Sequence, residues 1–253
     1  MTPAPFTDPG MPIWVDMSVE TSEQREALMA FYSAVHGWTW DVSGPEMGSY
    51  SLASSNGQTV FGLGEGPGGQ GAMIPFFLST DVARDVERAT ELGGSVAMGP
   101  MTVTDTGVMA VLLDPAQATF GLWQPQPFPG FGVVYEVGSV GWFDHVSDRG
   151  ADAAAFYGSL LGKTVLEPAP GMRILANGEQ WFASISDSDE TFAPGWSTMY
   201  IVDNLASFRE TAREHGATIV AEELPVPGTV ICIIEEPVMK TRVTVMQAGE
   251  QPA

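Results

Sequence analysis

The sequence has one cysteine, Cys232, among 253 residues, which excludes an intramolecular disulfide and any cysteine-based metal cluster. That thiol lies in the apolar run Thr229-Val230-Ile231-Cys232-Ile233-Ile234 and reads as a buried structural group rather than a nucleophile. Basic residues are scarce too. Ten Lys and Arg stand against 31 Asp and Glu, a formal charge of −21, and such a surface repels phosphate backbones and anionic lipid. Neither a nucleic-acid nor a membrane partner is expected. The longest apolar stretches, such as Val230 to Ile234, are far too short to cross a bilayer. Met1-Thr2-Pro3-Ala4-Pro5 has neither the basic start nor the apolar core of an export signal, so the expected address is cytoplasmic. The sequence also lacks a nucleophile elbow and a dinucleotide fingerprint. Gly64-Glu65-Gly66-Pro67-Gly68-Gly69 is followed by Gln70-Gly71 instead of Lys and Ser or Thr, and therefore reads as a flexible loop that could gate a pocket, not as a phosphate cradle.

What the sequence does have is apolar residues enough for packed cores, 44% hydrophobic and 10% aromatic, and an internal repeat. Phe31-Tyr32 followed by Gly37 recurs as Phe156-Tyr157 followed by Gly162, about 125 residues on. Leu28, Phe31, Tyr32 and Val35, and again Ala153, Phe156, Tyr157 and Leu160, fall at helical spacing, with each glycine placed to end its helix in the left-handed conformation. Upstream, Ile13-Trp14-Val15-Asp16-Met17 matches Gly141-Trp142-Phe143-Asp144-His145 as a strand, and Thr21-Ser22-Glu23-Gln24 has the form of a capping box. Downstream, Asn56-Gly57 and Asn177-Gly178 each sit between alternating segments, a hairpin signal. Further strand–helix units follow from Ile74 to Gly93 and from Thr198 to Gly216, and the final strands close on Trp123-Gln124 and Met246-Gln247. Strand, helix and about three strands thus occur four times, grouped two by two, with a Pro- and Gly-rich linker over 125–135.

A strand–helix–three-strand module whose helix ends in Phe-Tyr shortly before a glycine resembles the vicinal oxygen chelate superfamily, which includes glyoxalases, extradiol dioxygenases and bleomycin-binding proteins. Asp114-Pro115 followed by Phe120-Gly121-Leu122-Trp123-Gln124 is similar to that family's closing turn and last strand. The Trp-x-Asp opening and Gly37-Trp38 are similar to a tandem two-domain actinobacterial subgroup related to a mycobacterial antigen. The resemblance implies an α+β fold of two tandem domains, at 10–124 and 136–248, each of two βαβββ modules forming a curved mixed sheet around a cavity. It implies no single reaction, since the superfamily hosts lyases, isomerases, dioxygenases and plain binders.

Active members of the family hold a divalent metal on His, Glu or Gln from the strands lining the cavity. The resemblance places those ligands at Trp14 and Trp142 on the first strands, near Ile74 and Ser197 on the strands that open the second modules, and at Gly121 and Thr244 on the closing strands. None of these side chains is a strong ligand, and no metal or other cofactor is expected. His145, read with Asp144 as an Asp-His-Val string, would supply one ligand, but neighbours on a strand face opposite ways. His36 and His215 are expected as caps or solvated residues at helix ends.

Residues two apart on a strand share a face, so each cavity should present an indole beside a carboxylate: Trp14 with Asp16, and Trp142 with Asp144. The candidate catalytic residues are Asp16, Asp144 and His145. The candidate wall for a planar or cationic ligand comprises Trp14, Trp142, Tyr50, Phe76, Trp123, Trp181 and Met199. An acid against an apolar wall can have a raised pKa suited to proton transfer. The expected function is binding of a small aromatic or polyketide-like molecule, and its transformation by metal-independent acid–base chemistry of lyase, isomerase or cyclase type, in natural-product biosynthesis or self-resistance. Three alternatives stay open: a metal-dependent glyoxalase- or dioxygenase-type enzyme using His145, a non-catalytic drug-binding protein, and a structural protein without a ligand. The partner is a small molecule, and the protein is expected as a monomer or homodimer.

Overall fold

The structure, a computed structural model, describes residues 6–45, 48–66, 70–188, 192, 194–226 and 228–248. Pro67, Gly68 and Gly69 of the glycine-rich loop, and Met1 to Pro5, lie outside the described residues.

Four modules follow one another. The first is β1 (Pro12–Val19), α1 (Ser22–His36), β2 (Thr39–Val42), β3 (Ser51–Ser55) and β4 (Gln58–Glu65); the second is β5 (Met73–Leu78), α2 (Val82–Glu91), β6 (Ser95–Val103), β7 (Gly107–Leu113) and β8 (Thr119–Pro125). The third is β9 (Val140–Ser147), α3 (Gly150–Leu161), β10 (Thr164–Ala169), β11 (Met172–Asn177) and β12 (Gln180–Asp187); the fourth is β13 (Gly195–Val202), α4 (Leu205–Glu214), β14 (Thr218–Val226), β15 (Thr229–Glu235) and β16 (Arg242–Gln247). They pair into two eight-stranded mixed sheets, in the order β2-β3-β4-β1-β5-β8-β7-β6 and β10-β11-β12-β9-β13-β16-β15-β14. In each sheet the two modules join where their first strands run antiparallel, β1 against β5 and β9 against β13. No helix among the described residues is long and apolar enough to cross a membrane.

Local chemistry sets the element ends. Thr21 and Gln24 close a reciprocal capping box on α1, and Gly37 and Gly162 take φ of 70° and 64° after α1 and α3, a left-handed conformation that a side chain would strain. Asn56 and Gly57 both have positive φ between the paired residues Ser55 and Gln58, as a type I′ hairpin turn requires. The matching hairpin is shifted by one residue. Asn177 pairs with Gln180, so the turn is Gly178-Glu179 with the glycine first. The Asn177 side chain is used elsewhere, accepting from Lys163 Nζ and donating to Asp8.

Helices cover one face of each sheet, and the helix-side faces of the two domains meet in one continuous apolar core. Phe77 and Phe120 of the first domain pack on Tyr157, with Phe77 also on Trp196. On the other side of the interface, Trp38 packs on Tyr200 and donates its indole N–H to the Gly138 carbonyl. His36 is no solvated cap: its ring stacks on Trp38 and abuts Tyr200 and Phe208, and neither ring nitrogen has a hydrogen-bond partner among the described residues. Burial lowers its pKa to about 3, so the imidazole is neutral. His215 caps α4 locally, with Nδ1 2.9 Å from the Thr211 carbonyl. Cys232 is fully buried, its thiol pushed up to about 11 by burial.

The linker is packed rather than free. Phe131 N–H and Gly132 N–H donate to the Ile13 and Thr59 carbonyls, and a Cβ on Gly130 would stand 2.1 Å from the Ile13 oxygen, so only glycine allows that approach.

Candidate functional site: two Trp-hydroxyl-Asp relays and an interdomain cleft

The concave face of each sheet carries the Trp-x-Asp pair. Register organises the first cup into rows. Trp14 stands opposite Phe76, Phe76 opposite Gly121, Gly121 opposite Val111, and Val111 opposite Met98. The row beginning at Asp16 continues through Ile74, and Thr119 pairs with Leu113 further along the sheet. The Trp14 row is dry at its centre, with Trp14 and Phe76 buried. The linker's Phe128 stacks edge-on against Trp14 at 5.0 Å and lies 6.1 Å from Trp123, whose indole N–H donates to the Phe128 carbonyl. The Asp16 row is wetter: Asp16, Ile74, Thr119 and Leu113 are all half-buried.

Asp16 does not stand alone. The Trp14 indole N–H donates to the Tyr50 hydroxyl at 2.9 Å, and that hydroxyl donates to Asp16 Oδ2 at 3.4 Å. Tyr50 fits because Gly62 lies beside it, where a Cβ would stand 1.8 Å from the phenol oxygen. The apolar surroundings raise the Asp16 pKa to about 7, a loss of hydration that the Tyr50 hydrogen bond only partly offsets. Burial and the neighbouring carboxylate push the Tyr50 phenol well above its ordinary value.

The second domain builds the same relay with a different hydroxyl. Trp142 Nε1 donates to Ser184 Oγ at 2.8 Å, and Ser184 donates to Asp144 Oδ1 at 2.5 Å. Ser184 pairs with Asp144 as Gly62 pairs with Asp16, so one sheet position supplies the hydroxyl in one cup and the room for a tyrosine in the other. Sequence reading missed Ser184; aligning the repeat strand by strand would have exposed it. In this cup Met199 replaces Phe76, Thr244 replaces Gly121, and Ile231, Ile233 and Met199 form a separate buried cluster against Trp142, Met246 and Phe192.

The other candidates separate from these relays. His145 lies on the opposite face of β9 and is fully buried, with Nε2 2.8 Å from Asp114 Oδ2. Asp114 also accepts from the Tyr157 hydroxyl at 3.1 Å and from the N–H groups of Ala116 and Ala118, and Tyr157 accepts from Trp196 Nε1. That network joins the domains. Trp181, 49% exposed at the start of β12, is not gathered into the cup. Trp14, Phe76 and Trp123, and Trp142 and Met199, lie on the relay faces of their sheets, most of them buried, and Tyr50 reaches Asp16 from before β3.

A cleft of about 1000 Å³ opens between the domains. Thr119 reaches it from the row of Asp16, and Ser197, the cross-strand neighbour of Asp144, reaches it from the second cup, together with Ile233, Arg242 and Thr244. Its rim is formed by two matching turns, Asp114-Pro115 to Thr119 and Glu236-Pro237 to Arg242. The second turn escaped sequence reading, although an acid followed by proline at the repeat spacing marks it.

The family's metal does not fit these donors. Among the described residues no three His, Cys, Asp or Glu side chains gather closely enough to hold an ion. The closing ligand position of the first cup is Gly121, whose missing Cβ would stand 2.1 Å from the Phe76 ring, so that ring occupies the space a glutamate would need. In the second cup the corresponding places hold Trp142, Ser197 and Thr244; an indole cannot ligate, neutral hydroxyls are weak ligands, and Asp144 beside Ser197 is a single carboxylate.

Sheets of paired βαβββ modules curved around a cup define the class, and comparison with known proteins agrees. No family model matches the chain. The anthracycline biosynthesis protein DnrV of Streptomyces peucetius is 31% identical over 244 residues, covering 87% of this chain and 86% of that protein. CFP32 of Mycobacterium tuberculosis, whose name assigns it provisionally to the glyoxylases, is 30% identical over 234 residues, 87% of each chain. Among solved structures, the Mn(II)-bound glyoxalase from Novosphingobium aromaticivorans superposes with a TM-score of 0.68 at 15% identity, covering 96% of this chain and 83% of that one. The 2,2',3-trihydroxybiphenyl 1,2-dioxygenase of Sphingomonas wittichii gives 0.66 at 12% identity, covering 96% and 92%. The chain belongs to the vicinal oxygen chelate superfamily, as a tandem two-domain member.

Proposed function

We propose that this protein binds a small aromatic, polyketide-like molecule between its two domains and transforms it by metal-independent proton transfer at Asp16. The observation that carries this reading is the Trp14–Tyr50–Asp16 relay: a half-buried carboxyl with a pKa of about 7, fixed by a phenol. A group that titrates near the working pH is the best compromise between being available as a base and being willing to act as an acid. Deprotonated Asp16 would take a proton from an acidic carbon or phenol of the bound molecule. Protonated, it would return one, which suits isomerisation, cyclisation or elimination. Asp16 and Thr119 are two strands apart in the sheet, a distance of about 10 Å at the usual strand spacing, so a molecule seated in the cleft needs about the length of a fused tricyclic system to reach the carboxyl.

Asp144 is the less accessible copy, with a buried wall around it. Kinship with anthracycline biosynthesis proteins supports a polycyclic aromatic substrate and a place in natural-product metabolism. The test is turnover of a panel of hydroxylated anthraquinones and anthrones followed by absorbance. Asp16→Asn should lose turnover at least a hundredfold while keeping ligand affinity, a scale typical of a general acid–base group. Asp144→Asn should keep most activity. Unchanged turnover in Asp16→Asn overturns the reading, and binding without turnover in the wild type would make the protein a carrier.

A further inference from the structure

We propose that the interdomain cleft holds its ligand by an anionic group, a carboxylate or acidic enol on the aromatic body, received by the ammonium of Lys240. This deepens the reading above and rests on it.

The chain has only ten basic side chains, and nearly all are committed. Arg25, Arg84, Arg88, Arg149, Arg173, Arg209 and Arg213 each pair with an acid, and Lys163 donates to Asn177. Lys240 lines the cleft and makes no ion pair among the described residues. Lys240 is exposed at the edge of the cleft, and in a protein of charge −21 an uncommitted cation bordering a concave site is the place where a ligand anion can be held. Arg242 lines the cleft as well, but it has Glu235 as its cross-strand neighbour, and Asp148 stands exposed at the rim. Lys240 is therefore the cation that meets the ligand's anion.

The turn that carries Lys240 is built to hold it. The Glu236 carboxylate accepts the N–H groups of Val238, Met239 and Thr241, and the Thr241 hydroxyl donates to the Gly71 carbonyl of the other domain. Lys240 itself sits at φ 62°, a left-handed conformation uncommon for a residue with a Cβ. The equivalent turn of the first domain places Gln117 at φ 68°, also lining the cleft. The two domains thus present the same strained turn to the same space, neutral on one side and cationic on the other. Strain of this kind persists where the surroundings over-determine it, and it concentrates at ligand clamps.

Gln117 also supplies the control, because it shows that glutamine is accommodated in this turn. Anthraquinone-2-carboxylate and anthraquinone-2-carboxamide, titrated against the tryptophan fluorescence of the full chain, differ only in the anion. The wild type should prefer the carboxylate about tenfold, ~1.4 kcal/mol. Lys240→Gln should remove that preference without changing the melting temperature, and Lys240→Arg should retain it. Equal binding of the two probes by the wild type, or an undiminished preference in Lys240→Gln, overturns the anion proposal while leaving the aromatic-ligand reading standing. Binding of neither probe overturns both.

Discussion

Replacing Asp16 by asparagine should stabilise the protein at alkaline pH and leave it nearly unchanged in acid. In the folded state the carboxyl has a pKa of about 7, against 3.8 for the unperturbed group. Below the unperturbed value both states carry the proton and ionisation contributes nothing. As the pH rises from about 4 to about 7, the unfolded chain gives up its proton and the folded protein keeps it, so stability falls; above the folded pKa the loss is complete. The rise from 3.8 to about 7, at ~1.4 kcal/mol for each tenfold change in proton affinity, sets an upper bound of ~4 kcal/mol. Asp16 keeps part of its surface exposed, so about half of that, ~2 kcal/mol, is the working figure. Asparagine has nearly the same shape, accepts from Tyr50 and carries no charge. Its melting temperature should therefore exceed that of the wild type by about 4–8 °C at pH 8, and by less than about 1 °C at pH 4, at the scale expected for a protein of this size. Melting curves at half-unit pH steps measure this. A difference that is constant from pH 4 to pH 8 would show that Asp16 is not held near neutrality, and the proton-transfer reading would lose its physical basis with it.

Four other outcomes follow from the geometry. His145→Ala leaves Asp114 buried and short of one partner, so it should cost about 3–5 kcal/mol and lower the melting temperature, while the variant that remains folded keeps its turnover; loss of turnover at intact stability would return His145 to the chemistry. Gly62→Ala would drive a methyl group into the Tyr50 hydroxyl, costing about 1–3 kcal/mol and breaking the relay, seen as a drop in turnover without the stabilisation that Asp16→Asn brings. Phe128 is half-buried, so Phe128→Ala should cost about 1–3 kcal/mol, below the ~3–5 of a fully buried phenylalanine, and open the Trp14 row, so binding of a bulky apolar probe should strengthen; unchanged binding would mean the linker does not fill that space. Exhaustive EDTA dialysis should leave turnover unchanged, and a stoichiometric Fe, Mn, Zn or Ni content by elemental analysis in the active protein would refute the metal-independent mechanism.

The repeat was legible because its signals are local. A glycine that must turn left-handed after a helix and an Asn-Gly between alternating runs each act within a few residues, and Gly37, Gly162 and Asn56-Gly57 sit where those rules place them. Where a distant partner decides, the sequence says less. The second hairpin turns one residue later, at Gly178-Glu179, while the Asn177 side chain bonds Lys163 and Asp8 far along the chain. The Pro- and Gly-rich segment read as a tether, yet Phe128 and Phe131 dock on Trp14, so its glycine at Gly130 serves close approach and not flexibility. Alternation along a strand put Trp14 with Asp16 on one face and set His145 opposite, and both follow from period two. The hydroxyls that complete the relays could not be read from that period, since Ser184 comes from a strand whose register only pairing reveals, and Tyr50 from the segment just before β3.

Duplication explains why two such similar halves need not do the same work. At four matched positions the first cup has Gly62, Ile74, Phe76 and Thr119, and the second has Ser184, Ser197, Met199 and Arg242. In the first set Gly62, Ile74 and Phe76 bring no polar side chain to the carboxylate that Tyr50 holds, and its burial raises its pKa, which favours proton transfer. The second sets the hydroxyls of Ser184 and Ser197 beside its carboxylate, which favours holding a polar group. The cleft meets both sets, touching Thr119 on one side and Ser197 and Arg242 on the other. A ligand lying across it would be gripped by one domain and worked on by the other, a division that a symmetric homodimer of identical cups cannot make. It follows that substitutions in the second cup should act mainly on affinity and those in the first mainly on turnover. Separating KM from kcat for Ser197→Ala and Tyr50→Phe tests this directly, and parallel effects in the two variants would show that the halves still work alike.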